Sequence, residues 1–278
     1  MNTLSGSQVA FVTGASSGMG KETALRLLDK GFIVYVAARR LELMTDLQER
    51  GAIAIQMDIS KEEQIVAAIQ KVESAHGGID VLINNAGFGM YGSMEESSIA
   101  DARYQFEVNL FGLARLTQLA LPYMRQKEAG TIVNISSMGG KMYTPLGSWY
   151  HATKHALEGW SDCLRIELAS FGIKVIIIEP GAIATEWSNV MLGPMLQRSG
   201  NGPYKALAHG LASAMSQSYG KKGASSPASE VADVIVKAVT SKRSKTRYVV
   251  GKMAKPLIFI RHYLGDKIFD KVIMSQVK

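Results

Sequence analysis

Gln8-Val-Ala-Phe-Val-Thr-Gly-Ala-Ser-Ser-Gly-Met-Gly20 is the stretch whose reading decides the fold. Residues 8–12 form a short apolar strand, which runs straight into a glycine-rich turn and then an amphipathic helical pattern reaching about Lys30. Strand, tight turn and helix together make a holder for a dinucleotide. Gly14, Gly18 and Gly20 let the backbone approach a pyrophosphate, and Ser16, Ser17 and Met19 open a helix whose free N–H groups carry partial positive charge. The spacing is Gly-x-x-x-Gly-x-Gly rather than Gly-x-Gly-x-x-Gly, so the flanking strand and helix carry the argument.

The pattern then alternates along the chain. Residues 31–38 read as a second strand, 52–57 as a third ending at Asp58, and 80–83 as a fourth leading into Asn84-Asn85-Ala86-Gly87. Helices are expected over 61–75, 101–124, 148–170 and 229–241, with strands over 130–135, 173–178 and 246–250. Such alternation predicts an α/β fold, a doubly wound parallel sheet with right-handed crossovers and a ligand crevice at the carboxyl ends of the strands. Every motif singled out falls at those ends. No internal repeat or linker appears, and residues 1–278 are read as a single domain.

Arg39 and Arg40 follow the second strand, where dinucleotide folds often place an acidic residue on the adenosine ribose; Ala38 stands there instead. Two guanidinium groups without a repelling carboxylate favour a 2′-phosphate, hence NADP(H). The plainer reading is that both arginines begin the next helix in solvent.

The helix over 148–170 carries Tyr150 and Lys154, four residues apart and therefore on one face. A phenol titrates near ~10, and a neighbouring cation is expected to lower that value and make the group a usable acid/base. Ser137 ends the strand 131–137 just before Met138-Gly139-Gly140, where its hydroxyl would meet a substrate oxygen. Ser136 is the rival, because alternation sends the two to opposite sides.

Taken together, Thr13-Gly-x-x-x-Gly-x-Gly20, Asn84-Asn-Ala-Gly87, Asn109, Ser137, Tyr150-x-x-x-Lys154 and Pro180-Gly181-x-x-x-Thr185 are similar to the short-chain dehydrogenase/reductase family in its single-domain form, over about residues 8–187. The resemblance implies a Rossmann-type, three-layer α/β/α domain with about seven strands, and hydride transfer between a nicotinamide and a carbonyl/alcohol pair. It implies Tyr150 as acid/base, Lys154 on the nicotinamide ribose, Ser137 on the substrate oxygen and Asn109 securing a proton-relay water. Without it, Asn109 reads as a buried, helix-bending residue. Asp58 and Ile59 would contact adenine, Asn85, Ala86 and Gly87 would wall the ribose, Ile183 and Thr185 would contact the carboxamide, and Pro180 and Gly181 would also border the cofactor. A helix cap for Asp58 and a simple turn for 84–87 are the plainer alternatives. His151 and His155 flank the catalytic pair and are assigned no chemistry.

Residues 186–223 lose the α/β pattern, and in this family that position carries a mobile substrate lid. Trp187 and Met191, with Met138, Tyr143 and Trp149, are expected to line an apolar, adaptable pocket. The C-terminal stretch 252–278 alternates basic and apolar residues, suited to closing the pocket, meeting a subunit or resting on a membrane surface; contact with the body or a partner is preferred.

The net charge of +7 is uneven: residues 221–278 hold 13 Lys/Arg against 4 Asp/Glu, while the first 220 hold 18 against 20. No nucleic-acid motif accompanies the basic block, so nucleic acid is not an expected partner. One cysteine, Cys163, excludes an intrachain disulfide and a thiol metal cluster, and it is read as a core filler. Absence of a signal pattern and of an ~18-residue apolar run leads to a cytoplasmic expectation. Members of the family it resembles usually pair through the helices that here bear Asn109 and Tyr150, which implies a homodimer or homotetramer. The remaining alternatives are a regulator that binds NADP(H) without turnover, and an epimerase or dehydratase on the same scaffold.

Overall fold

The computed structural model describes residues 7–220 and 225–277, with the side chains of 187–189 and 218–220 outside the described set. The chain begins β1 (Val9–Thr13), α1 (Gly18–Asp29), β2 (Ile33–Ala38), α2 (Thr45–Glu49), β3 (Ile53–Gln56), α3 (Glu62–His76) and β4 (Val81–Asn84). It continues α4 (Ile99–Phe106), α5 (Gly112–Gln126), β5 (Gly130–Ile135), α6 (Ser148–Leu168) and β6 (Ile173–Pro180). After β7 (Ile183–Ala184) come α7 (Trp187–Ser199), α8 (Lys205–Gly220), β8 (Ser226–Pro227), α9 (Ala228–Thr240), β9 (Arg247–Val250), α10 (Ala254–Tyr263) and α11 (Asp266–Gln276).

Seven strands pair in the order β3-β2-β1-β4-β5-β6-β9, all parallel, as the alternating pattern predicts. Every residue of β1 is buried because helices cover both faces of the sheet, which is why its sequence is continuously apolar rather than alternating. Val12 and Ala10 pack with Ala24, Leu27, Val231 and Ile235 on one face, and Phe11 packs with Ile69, Val72, Leu116 and Leu164 on the other. β1 pairs with β2 on one side and β4 on the other, so the chain reverses winding direction there. The crevice at that switch point receives the ends of β1, β2 and β4.

Three expectations change. The helix expected over 101–124 is divided by a π-helical turn, Glu107–Phe111, because Asn109 holds a loop across it instead of following the helix surface. Residues 186–223 were read as loosened, yet they contain α7 and α8, whose apolar residues Met191, Met195, Ala208 and Leu211 are buried against Tyr91, Tyr150 and Val277. Cys163 lies exposed, since the buried stripe of α6 runs through Leu157, Ser161, Leu164 and Leu168.

The C-terminal helices settle on the body. Leu257, Phe269 and Ile273 bury against Met142, with Met138 and Tyr143 packed on the same cluster. No helix among the described residues is long and apolar enough to cross a membrane.

Candidate active site

The glycine turn is built from both ends. Gly14 has φ +66°, a left-handed backbone that side chains resist, and a Cβ there would lie 2.9 Å from the Ala86 backbone. At Gly20 a Cβ would meet Asn85 Nδ2 and the Gly14 carbonyl oxygen, each at 2.5 Å. These glycines let the start of α1 close onto the end of β4. Thr13 Oγ1 accepts from the N–H groups of Asn85 (3.0 Å) and Ala86 (2.9 Å), and Asn85 Nδ2 donates to the carbonyls of Thr13 and Gly14. Asn85 was expected to wall a ribose, but its amide is turned inward to brace the turn; its part in the cleft is confined to the remaining surface.

Ser16, Ser17, Gly18 and Met19 line the resulting cleft with Asp58, Ile59, Ala86 and Gly87. Ser17 precedes α1 without capping it, and no acidic residue occupies the first turn. The N-terminal N–H groups and the positive end of the helix dipole are thus left for an anion. Asp58 Oδ1 accepts from the N–H and hydroxyl of Ser60, so this carboxylate shapes the entry to α3 while also facing the cleft.

Arg39 and Arg40 both border the cleft beside Ala38. Arg40 Nη2 lies 3.4 Å from Glu186 Oε2, an exposed ion pair that spans from β2 to the start of α7. Arg39 Nη1 reaches Tyr104 Oη at 3.5 Å, and no carboxylate pairs with Arg39 among the described residues. Tyr104 and Phe88, in ring contact at 5.6 Å, complete this end of the cleft and were not singled out by sequence.

A second cavity adjoins the first, with Met19 and Thr185 bordering both. It contains Ser137 and Tyr150 together with Pro180, Gly181 and Ile183. Ser137 Oγ accepts from the Gly139 N–H at 3.0 Å, which leaves its own proton to donate, and it hydrogen-bonds Tyr150. Burial pushes the Tyr150 phenol up to about 12, and the Ser137 hydrogen bond opposes the rise. Lys154, expected to lower the phenol, stands one turn further along the same helix. Its Nζ donates to the Ile135 carbonyl at 2.9 Å, and burial pushes the ammonium down to about 8 against the supporting charge of Glu158. The amine is close to the cleft all the same, 3.8 Å from where a Gly87 Cβ would stand.

Asn109 is fully buried and both its amide protons are committed, to the Phe88 carbonyl (2.9 Å) and to Thr153 Oγ1 (3.1 Å), while its Oδ1 accepts the Phe88 N–H. The side chain therefore ties the loop after β4 to α6, with its Oδ1 3.2 Å from where a Gly87 Cβ would stand, and it occupies the π turn.

The substrate residues divide. Met138 lines the second cavity, joined by Met142, Thr144 and Met215. Tyr143 does not: its hydroxyl donates to Asp270 at 2.9 Å and its ring packs on Phe269, so it anchors α11. Trp149 sits half-buried one position round α6 from Tyr150, away from the cavity. Met191 is buried behind the wall in the cluster with Tyr150 and Leu211. The Trp187 side chain lies outside the described residues.

Two unexpected residues shape the pocket. Tyr91 stands beside the Tyr150 ring at 5.8 Å between centroids. His151, assigned no chemistry from the sequence, lines the same cavity and is buried. The Thr144 N–H donates to its Nε2 at 3.0 Å, so Nδ1 carries the proton and donates to the Gly139 carbonyl at 2.9 Å. Burial pushes its pKa down to about 4, which keeps the imidazole neutral. His151 thus clamps residues 139–144, and Gly139 in turn holds Ser137. Position just beyond the ends of β4 and β5 was the available signal for Tyr91 and the clamped loop.

The cradle fits a dinucleotide on this geometry: two glycine positions that a Cβ would block, an uncapped helix start and flanking arginines. Comparison with known proteins bears on the same point. Residues 8–192 match the family model described as short chain dehydrogenase. A probable short-chain type dehydrogenase/reductase, VdlC of Helicobacter pylori, is 33% identical over 95% of this chain and 96% of its own. An NADPH-dependent 3-dehydrocapnine reductase of Ornithobacterium rhinotracheale is 34% identical over 97% of each chain. The crystal structure of a short-chain dehydrogenase from Streptomyces avermitilis superposes with a TM-score of 0.80 at 34% identity, covering 98% of this chain and 96% of that one. With strand order, glycine cradle and Ser137–Tyr150 contact in agreement, the chain belongs to the short-chain dehydrogenase family.

Proposed function

We propose that this protein is an NADP(H)-dependent reductase of a medium-sized, apolar carbonyl compound. The observation that carries this reading is a buried phenol, Tyr150, hydrogen-bonded to Ser137 in an apolar cavity that adjoins the dinucleotide cleft. The relative that acts as an NADPH-dependent reductase over nearly the whole chain supports both cofactor and direction. Bound in the cleft, the cofactor's nicotinamide supplies the hydride.

The chain's own residues do the rest. The glycine turn and the start of α1 hold the pyrophosphate, Lys154 is placed to reach the ribose beside Gly87, and Arg39 meets a 2′-phosphate. Ser137 and Tyr150 direct their hydroxyls at the carbonyl oxygen. As that oxygen gains charge both hydrogen bonds strengthen, and Tyr150 transfers its proton. A phenol raised to about 12 remains protonated at neutral pH, so it is ready to act as an acid; the oxidative direction would first require its deprotonation. Met138, Met142 and Met215 form a deformable wall suited to an apolar chain. Helices α7 and α8 act as the lid over it, contributing Met215, and the C-terminal helices buttress it through Met142 and Tyr143.

The test is NADPH oxidation across ketones and aldehydes of graded length and polarity, in single and multiple turnover. Turnover rising with apolar length is expected. Tight NADPH binding without turnover of any carbonyl or alcohol would instead identify a cofactor-binding regulator, and product formation without net NADPH loss an epimerase or dehydratase.

Self-association through the helices around Asn109 and Tyr150 forms part of the same reading. Phe111 and Ile166 stand 55% and 69% exposed there, apolar surface that a subunit contact would cover. Ile166→Asp is expected to shift the protein to a smaller species in light scattering; an unchanged mass at matched concentration would place the interface elsewhere. Contact of the basic C-terminal helices with a membrane surface is the lesser reading: Leu257, Phe269 and Ile273 are buried on the body, while Phe259, Tyr263, Leu264, Ile268 and Met274 stay exposed.

A further inference from the structure

Behind the catalytic helix lie two carboxyl groups with no part in the mechanism above. Glu158, one turn beyond Lys154 on α6, is 4% exposed, and Glu179, just before Pro180 on β6, is 2% exposed. Their side chains come within hydrogen-bonding reach of each other. The cations nearby do not resolve the contact. Lys141 Nζ (3.1 Å), Arg247 Nη2 (3.1 Å) and Arg247 Nε (3.2 Å) all meet Glu158 on the same oxygen, Oε2. Arg247 Nε also passes 3.2 Å from Glu179 Oε1, without the alignment of a hydrogen bond. Glu158 Oε1 and Glu179 Oε1 are both buried with no hydrogen-bond donor among the described residues.

A third buried oxygen joins them. Ser136, at the end of β5, is 4% exposed, and its Oγ has no hydrogen-bond partner among the described residues. Ser136 borders the substrate cavity, and its Oγ lies 2.8 Å from the position a Gly140 Cβ would take, with Glu158 Cγ 2.9 Å and the Lys154 carbonyl 3.0 Å from that same point. The rival to Ser137 thus stands on the other side of the strand end, between the cavity and the carboxyl pair.

We propose that Glu158 and Glu179 share one proton, and that this buried pair is a positioning element that sustains the charge on Lys154. One proton between two carboxyls gives each orphan oxygen a partner, the first as donor and the second as acceptor. Two adjacent ionised carboxylates in a buried site repel each other, which is the usual cause of one proton being retained. Burial first, and the charge of Glu158 second, push Glu179 up to about 7. The other charged groups facing the pair are Asp162, which takes the remaining face of Arg247 at 2.5 Å, and Arg165 on Asp162 at 3.2 Å. Below about pH 7 the pair therefore carries one negative charge and above it two, with Glu158 one helical turn from Lys154 and acting on its ammonium.

The consequence has a definite sign. Added negative charge favours the ammonium, so ionisation of the pair holds Lys154 protonated further into the alkaline range. Glu179 binds its proton more tightly folded than unfolded, so wild-type stability falls as pH rises from the ordinary carboxylate range through about 7. Glu179→Gln removes that dependence.

Infrared difference spectra of the cofactor-free protein between pH 6 and pH 8 test the shared proton directly. A protonated-carboxyl stretch that disappears at the higher pH, and that Glu179→Gln or Glu158→Gln abolishes, is expected. The melting temperature of Glu179→Gln should also gain on wild type between pH 5 and 8. A band that survives both substitutions, or a melting offset constant across that range, would overturn the proposal. The Lys154 half rests on the reductase reading: Glu158→Gln should move the alkaline fall of kcat to lower pH by about one unit, roughly tenfold in rate on that limb. An unmoved limb would overturn that half, and absence of any turnover would count against the reductase reading while leaving the spectroscopic result standing.

Discussion

Tyr150→Phe is expected to lower kcat for carbonyl reduction by roughly 10²–10⁴-fold, about 3–5 kcal/mol of barrier, with NADPH affinity held within about twofold. The ring fills the same buried space against Tyr91, so the substitution removes one hydroxyl and little packing. What disappears is the proton donor and one of the two hydrogen bonds that tighten on the developing oxyanion; Ser137 is left alone to hold it. Stopped-flow reduction with saturating NADPH measures the loss. A variant retaining more than a tenth of wild-type kcat would transfer the acid role to another group. The pH dependence separates the contributions further. Tyr150, at about 12, stays protonated across the working range, so the alkaline fall in reductive kcat should report Lys154 losing its proton near 8. A fall that vanishes in Lys154→Arg, whose guanidinium keeps its charge, would assign the limb to Lys154.

Arg39→Ala is expected to raise the KM for NADPH by roughly 10–100-fold and to leave that for NADH within about threefold, the difference corresponding to the loss of one or two charge-assisted hydrogen bonds. Arg39 should outweigh Arg40, because Glu186 already shares the Arg40 guanidinium. That exposed pair at 3.4 Å contributes little by itself, but its carboxylate offsets part of the attraction Arg40 offers a phosphate. Steady-state kinetics with both cofactors, for each single substitution and the pair, decide the matter. Equal losses for NADPH and NADH in Arg39→Ala would make Arg39 a surface residue with no part in cofactor choice.

Much of this arrangement is legible in the chain itself. The glycine spacing after β1, the apolar strands and the four-residue step from Tyr150 to Lys154 depend on local rules: backbone freedom, helical pitch, and burial of strands covered on both faces. Those rules act within a few residues, so periodicity and turn chemistry report them. Alternation placed Ser136 and Ser137 on opposite sides of the strand end, and in the structure one turns toward Glu158 and the other toward Tyr150.

Other residues carried no such signal. Asn85 was read as a cofactor wall because it stands in the right motif, but its amide answers the carbonyls of Thr13 and Gly14, more than seventy residues earlier. Tyr143 and Met191 had the right chemistry for a pocket, and packing from α11 and α8 claimed them. The phenol's acidity shows the same division. Spacing determined that Lys154 stands one turn from Tyr150, whereas the direction of its amine, toward the Ile135 carbonyl, followed from where β5 lies against α6.

Sequence alone therefore determined the sheet, the cradle at its switch point and which side chains share a helix face, because each follows from interactions between near neighbours along the chain. Tertiary structure decided how each buried group is charged, which hydroxyl meets the cavity and which polar atoms are left to one another. Those outcomes depend on desolvation and on partners supplied by distant segments, such as Arg247 for Glu158, and no local pattern encodes them.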